Sequence, residues 1–207
     1  SRQSVKSAST IKVPILHAYM IQRFNGNFIE SSSHKKLIEE MIRFSNNQST
    51  NTIIKLLGGT ENIQRILNNT KLYKELNLKE TIPEDGRTYR NKISAADLNQ
   101  LFVNIWFKRV IGAKYSEQIN KEAAREMLYL LSLPGHSWLK DRIKADTCFS
   151  GNKSVKLWDK TGFVKGVNGN AGVIEIDTPH GKRAYSIVMF MEREDYQTIE
   201  GDANHWS

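Results

Sequence analysis

Cysteine is nearly absent from this chain of 207 residues: Cys148 is the only one, so an internal disulfide is excluded. No apolar stretch is long enough to cross a bilayer, which excludes a membrane span, and no segment is typical of a signal peptide. Hydrophobic residues still make up 39% of the chain. A sequence of this length and composition can bury a proper core, and we expect a single domain over residues 1–207.

Basic residues outnumber acidic ones, 30 to 22, and give a formal net charge of +8. They are spread along the chain without a nucleic-acid-binding motif, so we expect no nucleic-acid partner. A positive field favours anionic substrates or an anionic cell wall. The five histidines lack the spacing of metal ligands, which predicts no metal site: His17, His34, His136, His180 and His205.

The first notable motif is Ser9-Thr10-Ile11-Lys12, at the predicted start of a helix. Apolar residues follow it at helical spacing until Asn25-Gly26, and Pro14 falls in the first turn, where its missing N–H is tolerated. Ser9 would lie at the positive end of the helix dipole with Lys12 one turn above it. An amine so placed can accept the hydroxyl proton if its pKa is lowered. The alternative is a capping serine with a solvated lysine.

The second motif, Ser45-Asn46-Asn47, lies between two predicted helices. An amphipathic segment over residues 37–44 precedes it, with serines 31–33 as caps, and another over residues 53–57 follows and ends at Gly58-Gly59. Side chains in such a turn can point into a cleft. Ordinary turn chemistry of serine and asparagine is the alternative.

The third motif, Lys160-Thr161-Gly162, lies on a predicted strand in which the side chains of residues 155–160 alternate. Gly162 leaves room for a substrate backbone, while Lys160 and Thr161 offer an ammonium and a hydroxyl suited to a carboxylate. The alternative is an edge strand that lysine protects from aggregation. Further strands are predicted near residues 173–176 and 185–191, and further helices after Ser94 and over residues 120–131.

In this order and on these elements, the three motifs resemble the signature of the penicillin-recognising serine hydrolases, which include class A β-lactamases and penicillin-binding proteins. The resemblance runs from about Ala8 to Glu192. It implies an α+β fold of three layers, in which helices flank an antiparallel sheet. Residues 9–145 would be mostly helical and residues 154–192 would form the strands, without the usual N-terminal strands.

The resemblance also implies a role for each motif residue. Ser9 would be the nucleophile, with its own backbone N–H and that of Phe163 binding the oxyanion. Lys12 would be a base for acylation, and Ser45 would pass a proton to the leaving nitrogen. The remaining substrate-binding residues would be Asn47 for the side-chain amide, Lys160 and Thr161 for the carboxylate, and Gly162. No cofactor or metal is needed.

Class A enzymes carry a loop whose glutamate activates the deacylating water, and residues 80–88 resemble the latter half of that loop. Counting back without a gap puts Glu75 on the catalytic glutamate and Lys79 on the asparagine that holds the water. Lys79 could lower the basicity of Glu75 through its charge or occupy the place of the water.

The same count puts Tyr73 and Thr88 where the family has an arginine–aspartate pair that braces the loop, so that pair is absent. A shift of one or two residues would leave Glu75 a surface charge and could bring Asn77 into the water-holding role. The position of the deacylating base therefore stays open.

The resemblance predicts a serine β-lactamase of class A that acts on β-lactams or peptidoglycan-like peptides, as a monomer. It is expected to be exported, with a leader removed. Two alternatives remain: a D-alanyl-D-alanine peptidase or penicillin-binding module with slow deacylation, and a catalytically silent cell-wall binding domain. Acylation would separate the last from the others, and turnover would separate the first two.

Overall fold

A computed structural model describes residues 1–83, 86, 90–112, 114–134, 139 and 155–192. Within them, six α-helices and five strands follow one another in the order β1, α1–α4, β2, α5, α6 and β3–β5. The helices are α1 (Lys12–Phe24), α2 (Ser32–Arg43), α3 (Asn47–Leu56), α4 (Gly59–Asn69), α5 (Ala95–Trp106) and α6 (Glu117–Ser132). The strands are β1 (Ser4–Lys6), β2 (Lys92–Ser94), β3 (Val155–Val164), β4 (Val167–Thr178) and β5 (Gly181–Glu192).

Helix α1 forms the centre of the molecule. A turn of 3-10 helix, Ala8–Ile11, leads directly into it, and every residue from Lys12 to Ile21 is buried. A helix that is buried on all sides must be surrounded by other elements, and α2, α3, α4 and α6 pack around this one. The first motif is therefore joined directly to a helix that the fold buries on all sides.

Side-chain caps divide the helical half into short helices. Ser31, Asn46, Ser94 and Ser116 each accept a hydrogen bond from the backbone N–H three residues later, at the starts of α2, α3, α5 and α6. Between α2 and α3 the chain reverses at Ser45, whose φ of 54° is uncommon for a residue with a side chain. This reversal turns both the carbonyl and the hydroxyl of Ser45 toward α1.

The main sheet is antiparallel, in the order β3-β4-β5. In its register, Lys160 pairs with Ala171 and Thr161 with Asn170. One face packs on the helices, where Trp158 meets Trp106 with their ring centroids 5.3 Å apart. A small second sheet pairs β1 with β2, which joins the start of the chain to the segment before α5.

The predicted α+β fold is confirmed, as are the strand under the third motif and the turn that carries the second. Strand β1 was not predicted, and α6 begins at Glu117 rather than near residue 120. Predictions that concern Thr88, His136, Cys148 and His205 lie outside the described residues. No helix in the described part of the chain is long and apolar enough to span a membrane.

Candidate active site

Strand β3 lies directly against the turn that carries Ser9. A Cβ atom built on Gly162 would lie 2.7 Å from the backbone nitrogen of Thr10 and 2.9 Å from that of Ser9. Real Cβ atoms do not approach so closely, so only glycine fits at this position of the strand. Ala8, the residue before Ser9, has a φ of 45°, a backbone conformation that is unfavourable for a residue with a side chain. The packing around the turn must therefore hold it in this conformation.

Lys12 is fully buried and joins the first motif to the second. Its Nζ donates to the carbonyl oxygen of Ser45, to Ser45 Oγ at 2.9 Å and to Asn47 Oδ1 at 2.8 Å. The carbonyl oxygen of Ser45 and Asn47 Oδ1 can only accept hydrogen bonds, whereas the hydroxyl of Ser45 can also donate. A neutral amine would therefore give its two hydrogens to the carbonyl oxygen of Ser45 and to Asn47 Oδ1, which leaves its lone pair to accept a proton.

The environment of Lys12 favours that neutral form. Burial, followed by repulsion from Lys160, lowers the pKa of Lys12 to about 6. Burial also lowers the pKa of Lys160, to about 8, and the charge of Asp159 partly opposes this shift. At neutral pH, Lys12 is then mostly a free amine while Lys160 is mostly an ammonium. Two lysines in one site thus have opposite chemical characters, one basic and one cationic.

A cavity of about 380 Å³ connects the second and third motifs. Ser45 of the second motif and Lys160 and Thr161 of the third are among the residues that line it. Lys160 is buried, and its Nζ donates to the carbonyl oxygen of Thr161 at 2.8 Å. Phe163, whose backbone N–H was predicted to bind the oxyanion, follows on the same strand. The cavity therefore combines a positive charge with a hydroxyl, which is the chemistry that a carboxylate-bearing substrate requires.

Glu75 is not brought to this cavity. It is exposed and lines a different one, of about 420 Å³, together with Arg2, Lys74 and Asp97 among others. Its backbone N–H donates to Asp97 Oδ2 at 2.7 Å, and its carbonyl oxygen accepts from Ser4 Oγ at 3.2 Å. The backbone of Glu75 is thus bonded to the start of α5 and to β1.

Asn77 and Lys79, two further loop residues considered in the sequence, are also on the surface, whereas Tyr73 is buried. Asn77 is exposed and its backbone pairs with Lys92, and Lys79 is exposed with its backbone N–H donating to Asn91 Oδ1 at 2.8 Å. Tyr73 is buried, and its hydroxyl lies 2.7 Å from Nδ1 of His17. Because His17 Nε2 faces the carbonyl oxygen of Val110 at 2.6 Å, Nε2 carries the hydrogen and Nδ1 accepts from Tyr73.

Two contacts that the sequence did not reveal bring a later part of the loop to the site. The side chain of Asn51, one turn after Asn47, donates to the carbonyl oxygen of Ile82 at 2.7 Å and accepts from its N–H at 2.8 Å. Farther along, a Cβ on Gly86 would lie 3.5 Å from Nδ2 of Asn47. The described residues of the loop that approach the second motif are therefore Ile82 and Gly86. Asn51, one helical turn after Asn47, was the sequence signal for this contact. Its partner Ile82 is 31 residues away in sequence, so the sequence did not identify it.

No group of three or more histidine, cysteine, aspartate or glutamate residues within the described ranges could hold a metal ion. His17 is buried in the contacts given above, with its pKa lowered to about 4 by burial, and it does not line the cavity of Lys160.

A family model described as "Beta-lactamase enzyme family" matches residues 28–204, so the match begins after the Ser9 motif. No match to a curated protein sequence was found. A mutant of PBP-A in an acyl-enzyme complex with penicillin G is similar in structure, with a TM-score of 0.73 at 21% identity, over 97% of this chain and 77% of that one.

Two β-lactamase structures are similar as well. The β-lactamase from Sphaerobacter thermophilus gives a TM-score of 0.70 at 19% identity, over 93% of this chain and 76% of that one. The class A β-lactamase from Mycobacterium abscessus gives 0.64 at 16% identity, over 99% and 82%. At these identities the likeness concerns the fold.

Proposed function

The chain belongs to the β-lactamase enzyme family, and from this premise we propose that it is a serine hydrolase that forms an acyl-enzyme with β-lactams on Ser9. The observation that carries the proposal is the state of Lys12: a buried lysine with a pKa near 6, hydrogen-bonded to Ser45 and Asn47, beside a second lysine that stays charged. A solvated lysine next to a capping serine would have none of these properties.

In the proposed acylation, Ser9 Oγ forms a bond to the lactam carbonyl carbon and its proton passes to Lys12 Nζ. The oxyanion accepts hydrogen bonds from the backbone N–H groups of Ser9 and Phe163, where close packing on Gly162 keeps the strand next to the turn. The carbon–nitrogen bond then breaks. The leaving nitrogen takes the hydroxyl proton of Ser45, and Lys12 returns a proton to Ser45 Oγ, 2.9 Å away.

Substrate binding in this proposal divides between the second and third motifs. Lys160, charged at neutral pH, and Thr161 bind the carboxylate of the substrate. Asn47 donates from its amide nitrogen to the carbonyl oxygen of the substrate's side-chain amide, since its Oδ1 already accepts from Lys12. Gly162 leaves the space in which the substrate backbone lies.

Deacylation is proposed to be slow. A general base must reach the attacking water directly or through one further water, and Glu75 is exposed beside another cavity, with its backbone bonded to Asp97. This observation favours the second candidate function, a penicillin-binding module or D-alanyl-D-alanine peptidase that acylates readily. Rapid β-lactam hydrolysis would require a base other than Glu75.

The proposal extends to the setting of the enzyme. We propose an exported monomer that consists of one β-lactamase-like domain and meets β-lactams or peptidoglycan-like peptides at the cell wall. The formal charge of +8 supports it, because a positive field attracts both anionic substrates and an anionic wall.

Incubation with a fluorescent penicillin, followed by intact-mass spectrometry and peptide mapping, tests the proposal. We expect a single adduct on Ser9 that Ser9→Ala abolishes and that Lys12→Met slows by at least a hundredfold. Thr178→Ala, on a surface turn of the sheet, serves as the matched hydroxyl control and should label like the wild type. Absence of an adduct on the wild type would remove the hydrolase and leave a cell-wall binding domain.

A further inference from the structure

The cavity that Ser45, Lys160 and Thr161 line has an apolar wall. Phe44 stands on one side of it, immediately before Ser45, and Leu133 and Pro134 stand at the end of α6. Phe44 is 66% exposed, although it follows the last residue of an amphipathic helix in which Ile38, Met41 and Ile42 are buried and Leu37 is half-buried. A large apolar side chain left in solvent at the mouth of a polar cavity is available to a ligand.

The ring of Phe44 contacts the side chain of Arg43, which lines the same cavity. The guanidinium of Arg43 lies 4.9 Å from the centroid of the ring, a distance typical of a cation–π contact. Arg43 is in turn paired with Glu39, with 3.0 Å between its Nη1 and Glu39 Oε1. Ordering a ligand against a ring that is already positioned costs less than ordering both.

If the proposed function holds, the cavity receives the leaving half of the substrate. Ser45 donates its proton to the leaving atom, so whatever is attached to that atom extends into the space that Ser45 lines. Lys160 and Thr161 line the same space and bind the carboxylate carried by that half. The amide of the acyl half meets Asn47 in the proposed function, and Asn47 does not line this cavity.

We propose that Phe44, with Leu133 and Pro134, makes this enzyme selective for an apolar, preferably aromatic, substituent on the leaving half of its substrate. A phenyl group would contact the ring of Phe44 and the aliphatic carbons of Leu133 while its carboxylate stays on Lys160. The enzyme would thus favour an aromatic D-residue over D-alanine in the leaving position of a peptide or ester.

Two N-benzoylglycyl esters that differ only in the leaving group, D-lactate and D-phenyllactate, test the inference on the full chain. Both carry the carboxylate, and both release a hydroxy acid. We expect kcat/KM to be about tenfold higher for the D-phenyllactate ester, which is the usual discrimination of an apolar subsite. Phe44→Ala should bring the ratio close to one by lowering only the D-phenyllactate value, and Phe44→Leu should retain part of the preference.

Phe107→Ala is the matched control, because Phe107 is 63% exposed and lines neither cavity described above. It should keep the wild-type ratio. Equal values of kcat/KM for the two esters in the wild type, together with penicillin labelling of Ser9, would overturn the inference and leave the proposed function intact. An equal loss for both esters in Phe44→Ala would overturn it too, since Phe44 would then only position Ser45. No reaction of Ser9 with penicillin or either ester would overturn both.

Discussion

Gly162 and Ser9 are in contact through their backbones: a Cβ on Gly162 would lie 2.9 Å from the nitrogen of Ser9. The contact sets the distance between strand β3, which carries Lys160 and Thr161, and the turn that carries Ser9. In the proposed function, this one approach positions both ends of the substrate, and a side chain at residue 162 would move the strand away from the turn.

Gly162→Ala should slow acylation of Ser9 by tenfold or more, because the strand must move away from the nitrogens of Ser9 and Thr10. Overpacking of this kind also costs about 1–3 kcal/mol of stability. Penicillin acylation measured by stopped flow, with urea unfolding on the same protein, reports both effects.

Gly172→Ala is a control that separates the loss of acylation rate in Gly162→Ala from its loss of stability. Its Cβ would meet the carbonyl oxygen of Trp158 at 2.6 Å and the side chain of Asp159, away from the nucleophile turn. We expect it to lose comparable stability with a smaller effect on acylation. A larger loss of acylation in Gly172→Ala than in Gly162→Ala would contradict the role given to the contact with Ser9.

The rate of acylation should depend on pH with two limbs. It should rise with increasing pH as Lys12 loses its proton near pH 6, and fall as Lys160 loses its proton near pH 8, because the first must be neutral and the second charged. Measurement of kcat/KM or of the acylation rate constant from pH 5 to 9.5 would show both limbs. A rate that stays constant from pH 5 to 7 would contradict the assignment of Lys12 as the base.

Asp159→Asn should move the alkaline limb to lower pH, because the charge of Asp159 raises the pKa of Lys160 and opposes the effect of burial. The acid limb, which belongs to Lys12, should stay near pH 6. The pH profile of the variant under the same conditions tests this directly. A shift of both limbs by equal amounts would mean that the two groups titrate as a coupled pair.

Glu75→Gln should leave the rate of deacylation within about twofold of the wild type, because Glu75 lines a separate cavity. Release of the penicilloyl group is followed by mass spectrometry after removal of free penicillin. Lys74→Gln, a neighbouring exposed residue of the same cavity, is the control for a nonspecific effect of charge. An adduct that persists only in Glu75→Gln would restore Glu75 as the deacylating base.

His17 should make the protein less stable in mild acid. Its pKa is lowered from 6.5 to about 4 in the folded state, so between these values the unfolded chain binds a proton that the folded protein does not. Stability from this group is therefore lost as the pH falls from 6.5 to 4, by about 2 kcal/mol between pH 7 and pH 5. Urea unfolding at the two pH values, compared with His17→Gln, isolates the contribution. An equal loss in both proteins would assign it to other groups.

Much of the fold could be predicted because its signals are local. The apolar spacing after Lys12, the serine caps and the alternation over residues 155–164 each depend on neighbours in sequence, and the structure has helices and a strand there. The motifs on Lys12, Ser45 and Lys160 also meet around one site, as expected from their order. Short-range patterns predicted these helices and the strand, and the resemblance to the family predicted that the three motifs meet.

The loop could not be predicted in the same way. The places of Glu75 and Lys79 depend on distant partners, because Asp97 accepts hydrogen bonds from the N–H groups of Lys74 and Glu75, and Asn91 accepts one from that of Lys79. These partners are 12 to 23 residues away in sequence, and no local pattern identifies them. Phe44 was missed for a related reason, because helical spacing gave it an apolar position that the end of α2 leaves in solvent.

The paired hydrogen bonds between Asn51 and Ile82 have a consequence for how this protein moves. A loop attached to a helix by both the donor and the acceptor of one amide cannot slide along it, since any displacement breaks two bonds together. The segment around Ile82 and helix α3, which begins with Asn47, then share one free energy of opening. Opening of this segment is therefore a cooperative event, and its frequency depends on the buried packing of Ile82 as well as on the two hydrogen bonds.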